Sequence, residues 1–512
     1  MTAATRRSVG WVAAMALVAQ GVLLAASGVS APGAPAATGA PGDEGRAPAG
    51  VSGIVLSEEG APVPDATVAL VPSSGRAFVL NGALVRDVFR GSLTQTGSDG
   101  RFSFDSEGED YTLVALHEEG VAEVQGEELP QSGEVQLSRW GALQGDVLHG
   151  KEIARRAAAA MSEFGGAWRD IPVRYVHRPE LTEDGRLGLS RVVPGRYHVD
   201  IQLDPGGGAP PVSRRHVVRV EAGTKARLVS GGRGRAVVGS VGSPVGGDPP
   251  ARGVRYSGQV HLEMRPVLLP TELEAASRQE QREWYTEWRQ SGQEADHWLA
   301  GVGYSTGLLA DGTFRIEDVL PDEYDLLVSF TASAGAVAGR RAVAEARVVV
   351  EPVDAGADGP VDVGALDSEV LEPMRLGRPA PEFGAFTVDG ELVRLSDFRG
   401  GLVLLDFWAT WCAPCHGETP YLKAVHEEFG GERLTIIGLS QDSDPEAPRR
   451  YAQEKGLGWL QCYTNYASSV SQRYGVTGIP MILLIGPEGQ VLEGGLRGPR
   501  IRAAVQSVLA DE

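Results

Sequence analysis

Three stretches of the chain repeat one pattern: an Asp-Gly pair, a strand of alternating apolar and polar residues, a turn, and a second strand led by tyrosine. They read 99-DGRFSF with 111-YTLVAL, then 184-DGRLGLSRVVPGRYHVDI, then 311-DGTFRIEDVLPDEYDLLV, with Asp-to-Tyr offsets of 12, 13 and 13 residues. Asp-Gly supplies the backbone conformation of a tight turn, and period-two alternation suits a strand with one buried face. Opening strands precede these marks at 51-VSGIVLSEEGAPVPDATVALV, 141-GALQGDVL and 254-VRYSGQVHLEM. Each unit is therefore expected to be a small antiparallel β-sandwich.

The marks lie 85 and 127 residues apart, so the third copy carries an insertion. The segment 271-TELEAASRQEQREWYTEWRQSGQEADHWLAG is rich in Glu, Gln, Arg and Ala and has no glycine before 292, which predicts a helix near 271–300. Trp284 and Trp288 fall on one face of it. They either pack the helix onto its own sandwich or form a face for a partner. A second short helix is expected at 151-KEIARRAAAAMSEF. The G-x-V…G-x-P-V-x-x-A-x-V opening of copy one and the D-G-x-F…Y-x-L closings resemble the carboxypeptidase regulatory-like β-sandwich family over most of 50–352. That resemblance implies spacers or binding modules; with no carboxypeptidase zinc motif in the chain it implies no peptidase.

Charge and leader narrow the functional classes. The chain has 512 residues, a net charge of −20 and only four lysines, Lys151, Lys225, Lys423 and Lys455. No basic stripe is present, so nucleic acid is not an expected partner. Arg6 and Arg7 followed by the uncharged run 9–26 and the Ala34-Pro-Ala36 cleavage pattern read as an export segment over 1–36. The run is also long enough to serve as an uncleaved membrane anchor. The expected location is extracytoplasmic, in the periplasm or cell envelope. Only Cys412, Cys415 and Cys462 occur, which excludes a disulfide-stapled scaffold and points the close pair toward chemistry.

After a Gly/Pro/Ala-rich tether at 37–49 and the repeats, a second acidic linker is expected at 353–374, and from 375 strands alternate with helices. The apolar runs 402–407, 434–439 and 481–485 read as buried strands, and 413–429, 447–455, 467–474 and 500–509 as helices. Within 406-DFWATWCAPCHGE-418 the Cys-x-x-Cys-His motif fits either covalent haem attachment or disulfide exchange. Cys412 directly follows a buried strand and opens a helix, where orphan amides and the helix dipole stabilise a thiolate. Pro414 is tolerated in that first turn because its missing N–H is not needed there. This placement favours disulfide exchange. A structural zinc site would require Cys412, Cys415, His416 and either Cys462 or His426 to converge. His416 is expected to be exposed, and Cys462, in 459-WLQCYTN, to be a buried inert thiol near a sheet edge.

The segments 379-PAPEF-383, 402-LVLLDFWATWCAPCHGETP-420 and 477-TGIP-480 resemble the TlpA/ResA-type thioredoxin-like thiol-disulfide oxidoreductases over residues 376–512. The resemblance implies that Cys412 attacks a substrate disulfide and Cys415 resolves the mixed disulfide. It implies a cis bond before Pro480, leaving the Ile479 backbone to pair with an extended substrate, and Trp411 and Trp408 shielding the site. Asp406 resembles the buried acid of thioredoxin and Glu418 the cavity acid of TlpA/ResA proteins; a buried carboxylate can exchange a proton with Cys415 near neutral pH. Which of the two does so stays open, and Glu418 could instead be a solvated first-turn residue.

The expected architecture is three antiparallel β-sandwich modules, 50–138, 139–230 and 231–352, followed by an α/β thioredoxin-like domain over 375–512. No metal or organic cofactor is expected, the working group being a redox-active disulfide between Cys412 and Cys415. Expected partners are protein thiol or disulfide substrates, an upstream redox donor or acceptor, and an envelope or cell-surface partner for the sandwiches. The rival readings are a thiol peroxidase of the peroxiredoxin-related group and an envelope binding protein with an auxiliary redox domain.

Overall fold

All three repeats use one strand arrangement. In each, the opening strand pairs antiparallel with the Asp-Gly strand and parallel with a closing strand. The triplets are Arg101–Phe104, Val51–Leu56 and Glu134–Gln136; Arg186–Val192, Gly141–His149 and Lys225–Ser230; and Thr313–Val319, Arg235–Val241 and Val361–Leu366. The Asp-Gly turns hold Gly100, Gly185 and Gly312 at φ of +74°, +71° and +86°, the left-handed region where a side chain is disfavoured. These features come from a computed structural model that describes residues 50–510 except 106–109, 150–151, 155, 164–172, 205, 207–208, 243–253, 265–268, 271–272, 274, 294–301, 334–340, 354–358, 432, 443 and 465–467. The expected export segment (1–36) and tether (37–49) lie outside the described residues.

The common arrangement corrects two boundaries. The opening strand of the third copy is Arg235–Val241, whereas 254–264 supplies a strand of the second sheet. The expected linker at 353–374 contains the closing strand Val361–Leu366, whose Val361, Val363 and Leu366 pack on the third core. The acidic composition hid the alternation of Val361 and Val363, which a bulge at Gly364 then shifts to Leu366.

In the first module the second sheet has five strands, ordered Ser138–Arg139, Gly120–Gln125, Tyr111–Leu116, Thr67–Pro72 and Ser92–Gln95. The second sheets of modules two and three instead fuse. Their strands are β1 (Ala157–Glu163), β2 (Gly195–Leu203), β3 (Val212–Val220), β4 (Tyr256–Met264), β5 (Val302–Gly307), β6 (Asp322–Ala332), β7 (Arg341–Val350) and β8 (Ser368–Val370), in the order β1-β2-β3-β5-β4-β6-β7-β8. The β3–β5 pairing makes one continuous eight-stranded sheet. β1 replaces the short helix expected at 151–164. It pairs along its whole length with β2, and Ala157, Ala159 and Met161 meet the core at period two. That pairing overrides the helix propensity of the alanine run. One face of the sheet is apolar, with Val199, Ile201, Val260, Leu262, Leu326 and Val328 in the sandwich cores. Alternation puts Arg196, Asp200, Arg215, Glu263 and Glu345 on the opposite face.

The C-terminal α/β domain contains β9 (Gly384–Thr387), β10 (Leu392–Arg394), β11 (Leu402–Trp408), β12 (Leu434–Ser440), β13 (Leu460–Tyr463), β14 (Met481–Ile485) and β15 (Val491–Gly494), ordered β10-β9-β13-β12-β11-β14-β15. The insertion helix is α1 (Arg278–Gln290); the domain's own helices are α2 (Ala413–Phe429), α3 (Glu446–Lys455), α4 (Ser469–Arg473) and α5 (Pro499–Ala510). Leu402 and Leu404 of β11 pack with Leu422 and Val425 of α2 and Ile501 and Val505 of α5, while Val403, Leu405 and Phe407 pack on the other face with Val470 and Tyr474. β13 lies between β9 and β12, so Cys462 sits in an interior strand, not at an edge: the β9–β10 hairpin adds outside it.

The insertion helix starts at a capping box formed by Ser277 and Glu280 and buries Gln281, Tyr285 and Trp288. Its apolar cluster includes Phe386 of β9, so Trp288, with Trp284 stacked on it at 5.6 Å, faces the C-terminal domain as well as its own module. Arg282 pairs with Glu391, Gln281 accepts from the Leu392 N–H at 2.9 Å, and Arg449 of α3 donates to the Tyr285 hydroxyl at 2.9 Å. Gly390 (φ +83°) lies under the Tyr285 ring, where a Cβ would come within 2.1 Å. Farther along, Arg473 pairs with Glu345 and Glu369, and Arg196 of β2 with Asp444. The charged sheet face and the insertion helix thus form a mount for the α/β domain.

Candidate active site

β11 delivers the site. Its last residues, Phe407 and Trp408, are buried, and the chain then turns through Ala409–Trp411 into α2. Cys412 is the N-cap residue of α2: its sulfur accepts from the Cys415 N–H at 3.2 Å, and its N–H donates to the Ala409 carbonyl. A sulfur in this position meets unpaired amides and the positive end of the helix dipole, both of which favour a thiolate. Cys412 and Cys415 are joined as a disulfide with Cα atoms 5.2 Å apart, and each is 4% exposed. They pack in one cluster with Trp408 and Ala409, against half-buried Trp411, Tyr451 and Ile479. The Ile479–Pro480 peptide is cis.

His416 differs from its expected exposure. Its Nε2 lies 2.9 Å from the Thr410 carbonyl and its ring stacks on Tyr451 at 5.0 Å, so the α2–α3 contact half-buries it. Trp408 rests on Tyr451 and donates to Gln461 at 3.0 Å. The residues named for a zinc site do not converge: Cys462 is in the cluster on the opposite face of the sheet, and His426 packs near the far end of α2 against Trp459. Burial pushes the Cys462 thiol up to about 12, which keeps it protonated and inert at neutral pH.

The two candidate acids occupy different environments. Leu402, Leu404 and Asp406 alternate onto the face of β11 that α2 covers, and Cys415, Leu422 and Val425 are the buried residues of α2. Asp406 is 6% exposed, and its Oδ1 has no hydrogen-bond partner among the described residues. Burial pushes its carboxyl up to about 7, with Glu418 adding to the rise and Arg497 opposing it. Glu418 is half-buried, accepts from the Gly498 N–H at 2.6 Å and faces Arg497 Nε at 3.9 Å. It is therefore neither a free first-turn residue nor an unengaged acid.

Several supporting residues carried no motif. Asp442, fully buried, accepts from the Thr410 N–H at 3.0 Å, the Thr410 hydroxyl at 2.7 Å and the Ser440 hydroxyl at 2.7 Å, which fixes the loop leading to Cys412. Burial raises its pKa, and likewise that of Asp444, where Arg196 and Arg450 oppose the rise. Asp442 and Asp444 follow the C-terminal end of a buried parallel strand, where α/β sheets place functional side chains; that is the signal that could have found them. Tyr451 and Arg497 had no comparable signal.

The AhpC/TSA family model matches residues 376–493. Among curated relatives, the thiol-disulfide oxidoreductase ResA of Bacillus anthracis is 31% identical over 122 residues, covering 24% of this chain and 70% of the relative. The chain belongs to the ResA-type thiol-disulfide oxidoreductases. ResA of Bacillus thuringiensis subsp. konkukian aligns over 138 residues at 28% identity, covering 27% of this chain and 79% of that one. Among solved structures, the thioredoxin domain of a Bacteroides vulgatus thiol-disulfide oxidoreductase is similar at 32% identity, covering 26% of this chain and 98% of its own, with a TM-score of 0.26. The curated relatives cover about a quarter of the chain, and the enzyme is a thiol-disulfide oxidoreductase with a mostly β-stranded region ahead of its thioredoxin-like domain.

Proposed function

We propose that the chain works outside the cytoplasm and exchanges disulfides with protein substrates through Cys412 and Cys415. The observation that carries this reading is the Cys412 sulfur at the N-cap of α2, accepting from the Cys415 N–H. In the reducing direction, the Cys412 thiolate attacks one sulfur of a substrate disulfide. A Cys412–substrate mixed disulfide forms, and the other substrate sulfur leaves as a thiolate and takes up a proton. Cys415 then loses its proton to the Asp406 carboxylate and attacks Cys412 Sγ, closing the Cys412–Cys415 disulfide and releasing the second substrate thiolate. Two electrons pass from the enzyme dithiol to the substrate; an upstream dithiol donor restores the enzyme, and the reverse sequence oxidises a substrate dithiol.

Asp406 is assigned as the acid serving Cys415 because it is buried beneath α2 with an unengaged oxygen, whereas Glu418 is occupied by Gly498 and Arg497. Ile479 and Trp411, both packed on the cysteine cluster, are assigned as the substrate-facing residues, Ile479 through its backbone. The sandwiches act as a mount that presents this site within the envelope, and the leader pattern at 1–36 supports export.

The test is single-turnover oxidation of the pre-reduced full chain by a disulfide-bonded synthetic peptide. The wild type should lose two thiols per chain, and Cys412→Ser should not react. Rapid consumption of hydrogen peroxide with no reaction toward the peptide would overturn exchange in favour of the thiol peroxidase.

A further inference from the structure

The loop between β15 and α5 contributes one long cation to the site that no motif marks. Arg497 donates through Nη2 to the Pro480 carbonyl and through Nη1 to the Leu496 carbonyl at 2.6 Å, while its Nε faces Glu418 at 3.9 Å. The loop itself is anchored: Leu496 is fully buried and donates from its N–H to the Ile482 carbonyl at 3.2 Å, and the Gly498 N–H bonds Glu418. We propose that Arg497 is a positioning residue of the exchange site, holding the Pro480 segment that receives substrate in register with the acid pair Asp406 and Glu418 behind Cys415. The proposal rests on the exchange reading given above.

Two separable functions follow from one guanidinium. Its planar fork spans two carbonyls, which an ammonium cannot reproduce in the same geometry. Its charge acts on the acids. Among the described residues, the charged groups that reach Asp406 are Glu418 on α2 and Arg497 ahead of α5; β12 and β14 place the uncharged Gly438 and Ile482 beside it. Arg497 is the group that opposes both burial and Glu418 in keeping the Asp406 carboxyl from rising further. Without that charge Asp406 is protonated over more of the neutral range and accepts the Cys415 proton less often. The Arg497 side chain is 43% exposed, so water screens part of the effect.

The experiment follows oxidation of the pre-reduced full chain by the disulfide-bonded peptide from pH 5.5 to 9, in wild type, Arg497→Gln and Arg497→Lys. Arg497→Gln should shift the acidic limb of the closing step to higher pH, with a roughly three- to tenfold loss near pH 6.5 that recovers by about pH 8.5. Arg497→Lys should restore the limb but keep a raised half-saturating peptide concentration, because the two carbonyl contacts are lost. A Gln variant with the wild-type pH profile, or Gln and Lys variants that lose the same fraction of rate at every pH, would overturn the role of Arg497 while leaving the exchange reading intact. A wild-type chain that does not react with the peptide overturns both.

Discussion

Asp406→Asn should make the oxidised protein more stable at neutral pH, and the gain should have a defined pH shape. A buried acid with a raised pKa holds its proton in the folded chain after the unfolded chain has released it. Between the two pKa values the folded state therefore binds more protons, and stability falls as pH rises. The gap between about 7 in the folded chain and about 3.9 in the unfolded chain corresponds to about 4 kcal/mol at full development. None of this cost exists below about pH 4; it accumulates toward pH 7 and is constant above. Asn has the same shape and no titration, so it escapes the cost. Its amide adds a pH-independent term of about 1–3 kcal/mol if its donors stay unpaired, which makes the slope of the difference diagnostic, not its absolute value. The assay is hydrogen exchange of the amides of β11 in the oxidised full chain between pH 5 and 8, corrected for intrinsic exchange. Working with the disulfide closed removes both cysteine thiols from the titration. The variant should gain protection relative to wild type as pH rises, by about 2–4 kcal/mol in total. A difference that stays flat across that range would refute the claim that burial raises the Asp406 pKa.

Other consequences concern the mount and the third thiol. Tyr285→Ala removes a ring that is 5% exposed and sits over Gly390, and should weaken docking of α1 by about 3–5 kcal/mol; faster exchange of the β9–β10 hairpin amides, without change in the first sandwich, is the expected readout. Cys462→Ser places a hydroxyl in the fully buried interior of the sheet and should lower stability by about 1–3 kcal/mol, measured by urea unfolding, yet leave the two-thiol stoichiometry of peptide reduction intact. Arg196→Ala removes a partner of Asp444, which is 1% exposed, and should speed exchange of the α3 N-terminal amides while sparing α5.

The C-terminal domain was legible because each of its signals is local. A continuous apolar run, a Cys-x-x-Cys at a strand-to-helix junction and Pro480 ahead of the next strand fix the fold and the cysteine pair within a short window. The sandwiches were legible as repeats, because Asp-Gly turns and alternation survive in each copy. What escaped depends on residues far apart in sequence. The alanine run at 157–160 forms a strand only because β2 is there to pair with it. The closing strand Val361–Leu366 reads as acidic linker until Arg235–Val241 is placed beside it. Trp284 and Trp288 gave the buried face of α1, but the surface it meets, Phe386 and Gly390, is about a hundred residues onward in the chain. In the site, the proposed assignment of Asp406 over Glu418 turns on Gly498 and Arg497, whose approach no spacing rule encodes.

The most direct test is to leave the attacking sulfur without its resolving partner. Reduced Cys415→Ala full chain, mixed with the disulfide-bonded peptide and digested without reductant, should yield one peptide adduct, mapped by mass spectrometry to Cys412. No adduct, or an adduct carried by Cys462, would contradict an exchange site built on the N-cap sulfur of α2.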